Sequence, residues 1–545
     1  MNKLIKINNF LRRDEIFIPL ALFLVFVVAT LPGIRWGAPG IWNPDELVNW
    51  VDRAIKGTTP IDELNFDYPS LPKWGMYAIG KVMYRVGFTK TSFMVVARFI
   101  SVVLGGLVVM MGYQLARLIG GSIYSALLAA LLIATSSEMA INARFAHNDI
   151  YLTFFILLTV LCLFFYRIKG KRFWLLAAFL GVGLAASSKY NGLSLIVAVV
   201  VVFLVSEWGT VRKNPAKAAG ILLLGLTISA LGFGIGTPKA LTAPVYYFQQ
   251  VVIALQHHAL YDREPGDVIG LVGQWTIFRS ALGSVIFILV LLAFAYFIVK
   301  GILVLTRRLS EDRLRMDLIG ILLLTAAAID LPILVSYNFP ARFFLPLIPL
   351  SAVLLACFLD DLWHLAELAG YRLAQGLVVV VALTLLVISG LRATSVGLLF
   401  THDSRIAASQ YLATMQKGKS IEMTLYPPNI PEKLFSKAFN YPIFFAKFPG
   451  QTAPTDKSYQ FNQGEKGIEA RQPKYLVVDS FTTDRFKDPY ICGNNKIECE
   501  FFARLKAGQT NYALLQSFAY QLPRFLPQLT PDFLNPTIQV YQRGT

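Results

Sequence analysis

Two adjacent carboxylates, Asp45 and Glu46, lie in the stretch GIWNPDELVNW, a few residues after a long apolar segment. A carboxylate within reach of a hydroxyl group can act as a general base and turn that hydroxyl into a nucleophile. Helix capping also explains the pair, with Asn43 as the N-cap, Pro44 at the first helical position and Glu46 completing a capping box. The residues around the pair leave both interpretations open.

Further ionisable side chains are predicted at the same membrane face as the two acids. They are Lys73 in FDYPSLPKW, Arg144, His147 and Asp149 in NARFAHNDIYL, Lys189 in ASSKYNG, His257 and His258, and Arg342 in YNFPARFFLP. Such groups are costly beside a bilayer, so they usually face a cavity and carry function. Each also has a structural alternative, because basic side chains can reach lipid headgroups and Asp149 can cap the helix that it opens. Together they indicate a site for an anionic lipid headgroup and for a nucleophile that needs a base.

The elements that must position these residues are membrane helices. The chain of 545 residues is 55% hydrophobic and 15% charged, with a mean hydropathy of +0.55. Repeated apolar runs of roughly 18 to 25 residues are long enough to cross a bilayer. Basic residues cluster in short loops between these runs, as the positive-inside rule expects, so the net charge of +17 argues against nucleic-acid binding.

The apolar runs predict eleven crossings of a plasma or inner membrane. They are placed at 15–34, 93–117, 120–136, 149–167, 173–187, 190–207, 218–236, 282–305, 317–336, 343–360 and 376–398. The basic N-terminus and the basic loops at 166–172, 207–217 and 306–315 are expected in the cytoplasm. This threading places the C-terminal region outside, so residues 1–399 form a transmembrane domain and residues 400–545 an exoplasmic one.

The region 400–545 is polar and rich in proline, and it is predicted to be a small α/β domain. SIEMTLYPP, PKYLVVDSF and PTIQVYQR are typical of strands, and DSRIAASQYLATM is typical of a helix with Asp403 or Ser404 near its N-cap. Cys492 and Cys499 flank a Gly-Asn-Asn turn. In an oxidising compartment this spacing favours a disulfide between them.

Two loops at the outer face are too long to be simple turns, and they are expected to form the site. The first covers 35–92 and the second 237–281. Residues 44–56 carry an apolar stripe at helical spacing, which predicts a helix that lies in the membrane interface.

In order and spacing, these motifs resemble the GT-C superfamily of membrane glycosyltransferases, in the branch of the protein O-mannosyltransferases and the bacterial aminoarabinose transferases. The resemblance covers roughly residues 15–360. It rests on NPDELVNW in the first loop, DYPSLPKW after it, ARFAHNDIYLTFF, ASSKYNGL and the layout of two long loops and a C-terminal domain. DYPSLPKW departs from the family's Pro-Pro-Leu-x-Lys run at Ser70 and Pro72, which puts the placement of Lys73 in doubt.

The resemblance implies an inverting transfer of a monosaccharide from a polyprenyl-phosphate carrier to an acceptor hydroxyl or phosphate. Asp45 is then the expected base, with Glu46 supporting it and Asp149 orienting a cation or contacting the acceptor. The leaving lipid phosphate needs preorganised cations. The residues expected to bind substrate are Lys73, Arg144, Lys189, His258, Arg342 and Tyr68.

No cofactor or metal is expected, because the first loop has no Asp-x-Asp pair and the C-terminal region has no Trp-Trp-Asp signature of oligosaccharyltransferases. Two other functions stay open. A transporter or flippase of lipid-linked sugars would use the same cations, but it predicts internal repeats and charged or broken segments near the middle of the bilayer. The second of these functions is that of a non-catalytic relative that binds lipid.

Overall fold

The computed structural model describes residues 13–61, 66–261, 270–306, 313–334, 340–431, 433–440, 443–451 and 463–544. Within helix Pro244–Tyr261, the side chains from 257 onward lie outside the described residues, and with them the predicted site residue His258.

Every secondary-structure element described in the first half of the chain is a helix. Its helices are α1 Arg13–Thr30, α2 Val48–Ile55, α3 Leu71–Arg85, α4 Lys90–Leu118, α5 Ile123–Ala134, α6 Ser137–Asn142, α7 Asn148–Lys169, α8 Arg172–Ser188, α9 Leu195–Ser206, α10 Trp208–Lys213, α11 Pro215–Gly236, α12 Lys239–Thr242 and α13 Pro244–Tyr261. The second half continues with α14 Leu271–Leu282, α15 Ser284–Leu305, α16 Arg313–Leu334, α17 Leu347–Leu368, α18 Arg372–Thr401 and α19 Ser404–Ala413. Two 3₁₀ helices, Tyr190–Ser194 and Ala341–Phe344, interrupt the series.

The predicted class of polytopic helical membrane protein is confirmed. Seven helices among the described residues are long and apolar enough to cross a membrane, and four shorter apolar helices accompany them. Each of the eleven predicted spans overlaps one of these helices. The number of crossings stays a prediction.

Contacts divide the chain into two units, of which the first comprises residues 1–34, 45–256 and 268–393. Small residues allow its helices to approach closely. A Cβ atom added to Gly183 in α8 would lie 2.1 Å from the carbonyl oxygen of Ser229 in α11, so only glycine fits there. Such contacts are common between membrane helices, because no hydrophobic effect drives them together in lipid.

The capping interpretation of Asn43, Pro44 and Glu46 is wrong. Helix α2 begins at Val48, and its N-cap residue Leu47 makes no side-chain capping bond. The predicted apolar stripe does form, but Leu47 and Val51 are fully buried inside the protein. Helix α2 therefore packs its apolar face against the rest of the first unit, where removal of apolar side chains from water is favourable.

The second unit comprises residues 35–44, 257–267 and 394–545, and it contains a five-stranded sheet. The strand order is β2-β1-β3-β5-β4. The strands are β1 Ser420–Met423, β2 Lys437–Asn440, β3 Tyr475–Asp479, β4 Tyr512–Phe518 and β5 Ile538–Arg543. β1 pairs in parallel with β2 and β3, and β5 is antiparallel to β3 and β4. The predicted α/β fold of this region, with its three strands and its first helix, is confirmed.

The helices of the C-terminal unit are short. They are α20 Gly464–Arg471, α21 Ser480–Thr483, α22 Pro489–Asn494 and α23 Lys496–Lys506, with a 3₁₀ helix at Asp484–Lys487. Cys492 and Cys499 are joined by a disulfide between α22 and α23, with their Cα atoms 5.3 Å apart. Cys162 and Cys357 are buried thiols.

Residues 35–44 of the first loop are held within the C-terminal unit by a buried cation. The guanidinium of Arg405 lies 5.0 Å from the ring centroid of Trp36 and 4.4 Å from that of Trp42. Asp403 pairs with Arg405 at 2.8 Å, and both side chains are fully buried. Desolvated cation–π contacts of this kind are worth about 2 kcal/mol each.

Candidate active site

Five charged or polar side chains of the first unit form a continuous series of ionic contacts, named here the ionic cluster. Nη2 of Arg342 lies 2.8 Å from Oδ2 of Asp45, and its Nε lies 3.8 Å from Oδ2 of Asp149. Nζ of Lys189 lies 2.6 Å from Oδ1 of Asp149, and Nδ1 of His147 lies 2.6 Å from Oδ2. The structure therefore brings together predicted residues from four separate segments.

Interruptions of helices place three members of the ionic cluster. Asp149 is in the first turn of α7, where the helix dipole favours a carboxylate. Lys189 has an extended backbone, with φ of −154°, between α8 and the 3₁₀ helix at Tyr190. Arg342 lies in the other 3₁₀ helix, and the neighbouring ring of Phe343 is 3.9 Å from the amine of Lys189. Because helices begin, end or are interrupted at these positions, the three side chains can come close together although they belong to different segments of the chain.

The two carboxylates of the ionic cluster differ in exposure. The side chain of Asp149 is 1% exposed, and both of its oxygens are within ion-pair distance of a cation or of His147. The side chain of Asp45 is 31% exposed. A general base must reach the proton of its substrate, so Asp45 suits that role and Asp149 suits the task of orienting the groups around it.

Glu46 lies outside the ionic cluster, in a separate buried pair. Its two oxygens accept from Nε and Nη2 of Arg98 at 2.8 and 2.7 Å, and both side chains are fully buried. Glu46 also accepts from the backbone nitrogen of Ala146 at 2.9 Å, and Leu47 donates to the Ala146 carbonyl. The expected catalytic role of Glu46 is therefore corrected, because a carboxylate sealed against a guanidinium cannot reach a substrate. Glu46 instead connects the segment that follows Asp45 to the segment that precedes Asp149.

Lys73 and Arg144 are both buried. The amine of Lys73 donates to the carbonyl oxygen of Tyr68 at 2.9 Å. The guanidinium of Arg144 donates to the carbonyls of Ala29, Pro32 and Ala140, which fastens the end of helix α1. These bonds give Arg144 a structural role at the end of α1, and its binding of phosphate stays a prediction. Phosphate binding by Lys73 stays a prediction.

Tyr68 packs against the ionic cluster through His147, with ring centroids 5.3 Å apart and planes at 83°. Burial raises the pKa of the Tyr68 hydroxyl, and Arg342 only partly opposes this shift, so the hydroxyl keeps its proton. A protonated phenol can donate a hydrogen bond to a ligand oxygen.

The second loop contacts the first through buried aromatic residues. The hydroxyls of Tyr190 and Tyr247 lie 2.7 Å apart, and Tyr190 also donates to the carbonyl of Phe66 at 3.0 Å. Tyr247 belongs to α13, Phe66 to the first loop, and Tyr190 directly follows Lys189. Phe66 and Tyr247 of the two long loops therefore meet at Tyr190, next to Lys189 of the ionic cluster.

The arrangement combines an accessible carboxylate with two cations. It can take a proton at Asp45 and stabilise negative charge through Arg342 and Lys189, because oriented cations in a partly desolvated site act strongly on developing charge. Among the described residues, no group of three or more His, Cys, Asp or Glu side chains is placed to hold a metal ion. Independence from metals stays a prediction.

Arg98 escaped the sequence analysis, and His147 was named there without a role. Arg98 lies within the long apolar helix α4, where a single arginine at an interior position was the available signal. A charge in such a position requires a buried partner. The partner of His147 is two residues away, so the spacing of His147 and Asp149 could have suggested this contact.

Residues 81–249 match a family described as dolichyl-phosphate-mannose-protein mannosyltransferase. The matched range contains Arg144, His147, Asp149 and Lys189. The predicted resemblance and the glycosyltransferase class are confirmed by this match. No curated protein matches the chain in a search of sequences.

The chain is also similar to solved structures, with TM-scores below 0.5. ArnT from Cupriavidus metallidurans bound to undecaprenyl phosphate is 15% identical, with 97% of this chain and 98% of that chain covered and a TM-score of 0.49. Its apo state is 14% identical, with 96% and 97% covered and the same TM-score. The S. cerevisiae protein O-mannosyltransferase Pmt1-Pmt2 complex bound to the sugar donor is 22% identical, with 50% and 37% covered and a TM-score of 0.28.

Proposed function

We propose that this membrane protein is an inverting glycosyltransferase that moves a monosaccharide from a polyprenyl phosphate to an acceptor hydroxyl. The observation that carries the proposal is the ionic cluster, in which the accessible Asp45 lies next to Arg342 and, through Asp149, to Lys189. The family match over 81–249 supports the class of donor.

The reaction needs one base and a stabilised leaving group. The acceptor hydroxyl attacks the anomeric carbon while its proton passes to the carboxylate of Asp45. The bond between that carbon and the phosphate oxygen breaks, and the lipid phosphate leaves as a dianion. Arg342 and Lys189 stabilise the added negative charge. Asp149 holds both cations in place, so it positions them without touching the acceptor.

The site is assigned to the outer face of the membrane. The basic loop at 166–172 and the basic N-terminus support a cytoplasmic location for the opposite helix ends. A hydroxyl acceptor of a protein, lipid or glycan is compatible with an open carboxylate at this face.

The test incubates purified protein with a panel of radiolabelled polyprenyl-phosphate sugars and an extract of envelope acceptors, and it follows release of the lipid phosphate. Native protein should release the phosphate from at least one donor, and Asp45→Asn should lower turnover about 100-fold or more. Asp317→Asn is a matched control, since Asp317 is 30% exposed and pairs with Arg167, which lies in the last turn of α7, at the opposite end of that helix from Asp149. Absence of release from every donor, or equal losses in both variants, would refute the proposal.

A further inference from the structure

A tight turn of the C-terminal unit presents an aromatic side chain to its surroundings. Arg524 and Phe525 are the central residues of the turn, and the backbone nitrogen of Leu526 donates to the carbonyl of Pro523 at 2.9 Å across it. The side chain of Phe525 is 78% exposed, more than that of any other large apolar residue described in this unit. Contact with an apolar partner would remove this surface from water, which is favourable.

Side-chain bonds and packing hold the turn in one conformation. The amide of Gln528 donates to the carbonyls of Pro523 and Leu526, at 3.1 and 2.9 Å. Leu522 before the turn and Leu526 at its end are both buried. Phe525 is therefore held at the tip of a preorganised turn, which loses little conformational entropy when the tip is bound.

A hydrogen bond joins this turn to the membrane helix α18. The hydroxyl of Ser395 donates to the carbonyl of Pro527 at 2.9 Å. Exposed apolar side chains run along α18 from Leu373, directly after Arg372, to Val387, as expected of a surface that faces lipid. A helix rises about 1.5 Å per residue, so it extends about 33 Å from Leu373 to Ser395, close to the hydrocarbon thickness of about 30 Å. Ser395 therefore lies near the boundary between acyl chains and headgroups.

Phe525 lies close to the same boundary. It is two residues before Pro527, and two residues of extended chain span at most about 7 Å. The headgroup layer adds about 5–7 Å on each side of the hydrocarbon. The ring of Phe525 is thus at the depth of the headgroups or of the first acyl carbons, where aromatic rings are common. Arg524 beside it brings a cation to the depth of the lipid phosphates.

We propose that the Arg524–Phe525 turn inserts into the bilayer surface, with the ring of Phe525 among the uppermost acyl carbons and the guanidinium of Arg524 at lipid phosphates. The turn extends the lipid contact of α18, to which it is joined at Ser395. An apolar ring gains free energy on leaving water, and the arginine keeps its charge among the headgroups. This insertion goes beyond the proposed function and does not depend on the reaction at Asp45.

The experiment attaches a fluorescent bimane to Phe525→Cys in the full-length protein. The chain has four cysteines, of which two are buried thiols and two form a disulfide, so the introduced thiol is the one that reacts. The protein is labelled in detergent and reconstituted in phosphatidylcholine vesicles, with and without brominated acyl chains. Because the native side chain at 525 is exposed, its replacement should leave the fold intact.

Brominated lipid should lower the fluorescence of the Phe525→Cys label about twofold or more, because the label then lies within reach of the acyl chains. Val387→Cys, at a position 59% exposed in α18, gives the response of a label in lipid. Ala503→Cys is the control for a label in water. Ala503 is exposed in α23, which packs on the face of the sheet opposite to α19, the helix that follows α18. Addition of phosphatidylglycerol should increase the quenching at 525, and Arg524→Gln should remove that increase.

Three results would contradict the proposal. A Phe525→Cys label as insensitive to brominated lipid as the Ala503→Cys label would overturn the insertion. Protection of that label from aqueous iodide without quenching by brominated lipid would place a protein partner on the turn, and it would overturn the insertion as well. An unchanged effect of phosphatidylglycerol in Arg524→Gln would overturn the contact of Arg524 with lipid phosphates.

Discussion

The adjacent acids Asp45 and Glu46 should give opposite phenotypes when each is replaced by its amide. Glu46 and Arg98 are both fully buried, and two hydrogen bonds join them. Removing one charge from such a pair costs about 3–5 kcal/mol, because the other charge stays buried without full compensation. The side chain of Asp45 is 31% exposed, so loss of its pair with Arg342 should cost about 0–1 kcal/mol.

The assay measures thermal unfolding and turnover for both variants in one detergent. The scan rate is held constant, because a membrane protein of this size commonly unfolds irreversibly and its apparent midpoint then reflects a rate. Glu46→Gln should unfold well below native protein and retain turnover within about tenfold for the folded fraction, since its side chain is remote from solvent and substrate. Asp45→Asn should unfold near the native temperature and lose turnover about 100-fold or more.

A double variant tests whether the buried pair itself accounts for the difference. Glu46→Gln combined with Arg98→Met removes both charges and should recover part of the lost stability, as replacement of buried ion pairs by apolar residues does. Native stability of Glu46→Gln would refute the reasoning. An Asp45→Asn variant with near-native turnover would also refute it and would move the search for the base to another residue.

Three further predictions concern the cations, the cysteines and the membrane topology. Lys189→Met should abolish detectable donor turnover, whereas Lys300→Met, which breaks an equally short pair with similar burial, should mainly lower the unfolding temperature. Mass spectrometry without reductant should find Cys492 linked to Cys499, and alkylation of both without reductant would contradict it. Cysteines introduced at 166–172 should react only from the cytoplasmic side, and those in the C-terminal unit only from the outside; the reverse would overturn the orientation.

The sequence alone was sufficient for the class of fold and for most elements. Apolar runs of bilayer length and basic loops are local properties, so the helices could be placed from hydropathy, as α4 and α7 show. Three of the five strands of the C-terminal unit were also predicted, and so was an N-cap at Asp403 or Ser404, which the structure places at Asp403. Turn residues and caps act within a few positions, so they can be read from the sequence. Asp45, Lys189 and Arg342 were predicted as site residues from their residue types and their predicted membrane face.

Only the tertiary structure decided which of the adjacent acids is accessible. A shift of one residue along an irregular segment turns a side chain from the solvent to the interior, and here it separates Asp45 from the sealed Glu46. The same is true of Arg98 and Arg144, whose partners lie in other helices and loops. Charge pairing across distant segments depends on how helices pack, and neither periodicity nor composition carries that information. The chain thus determined which chemistry was available, and the packing of helix ends determined which side chains can perform it.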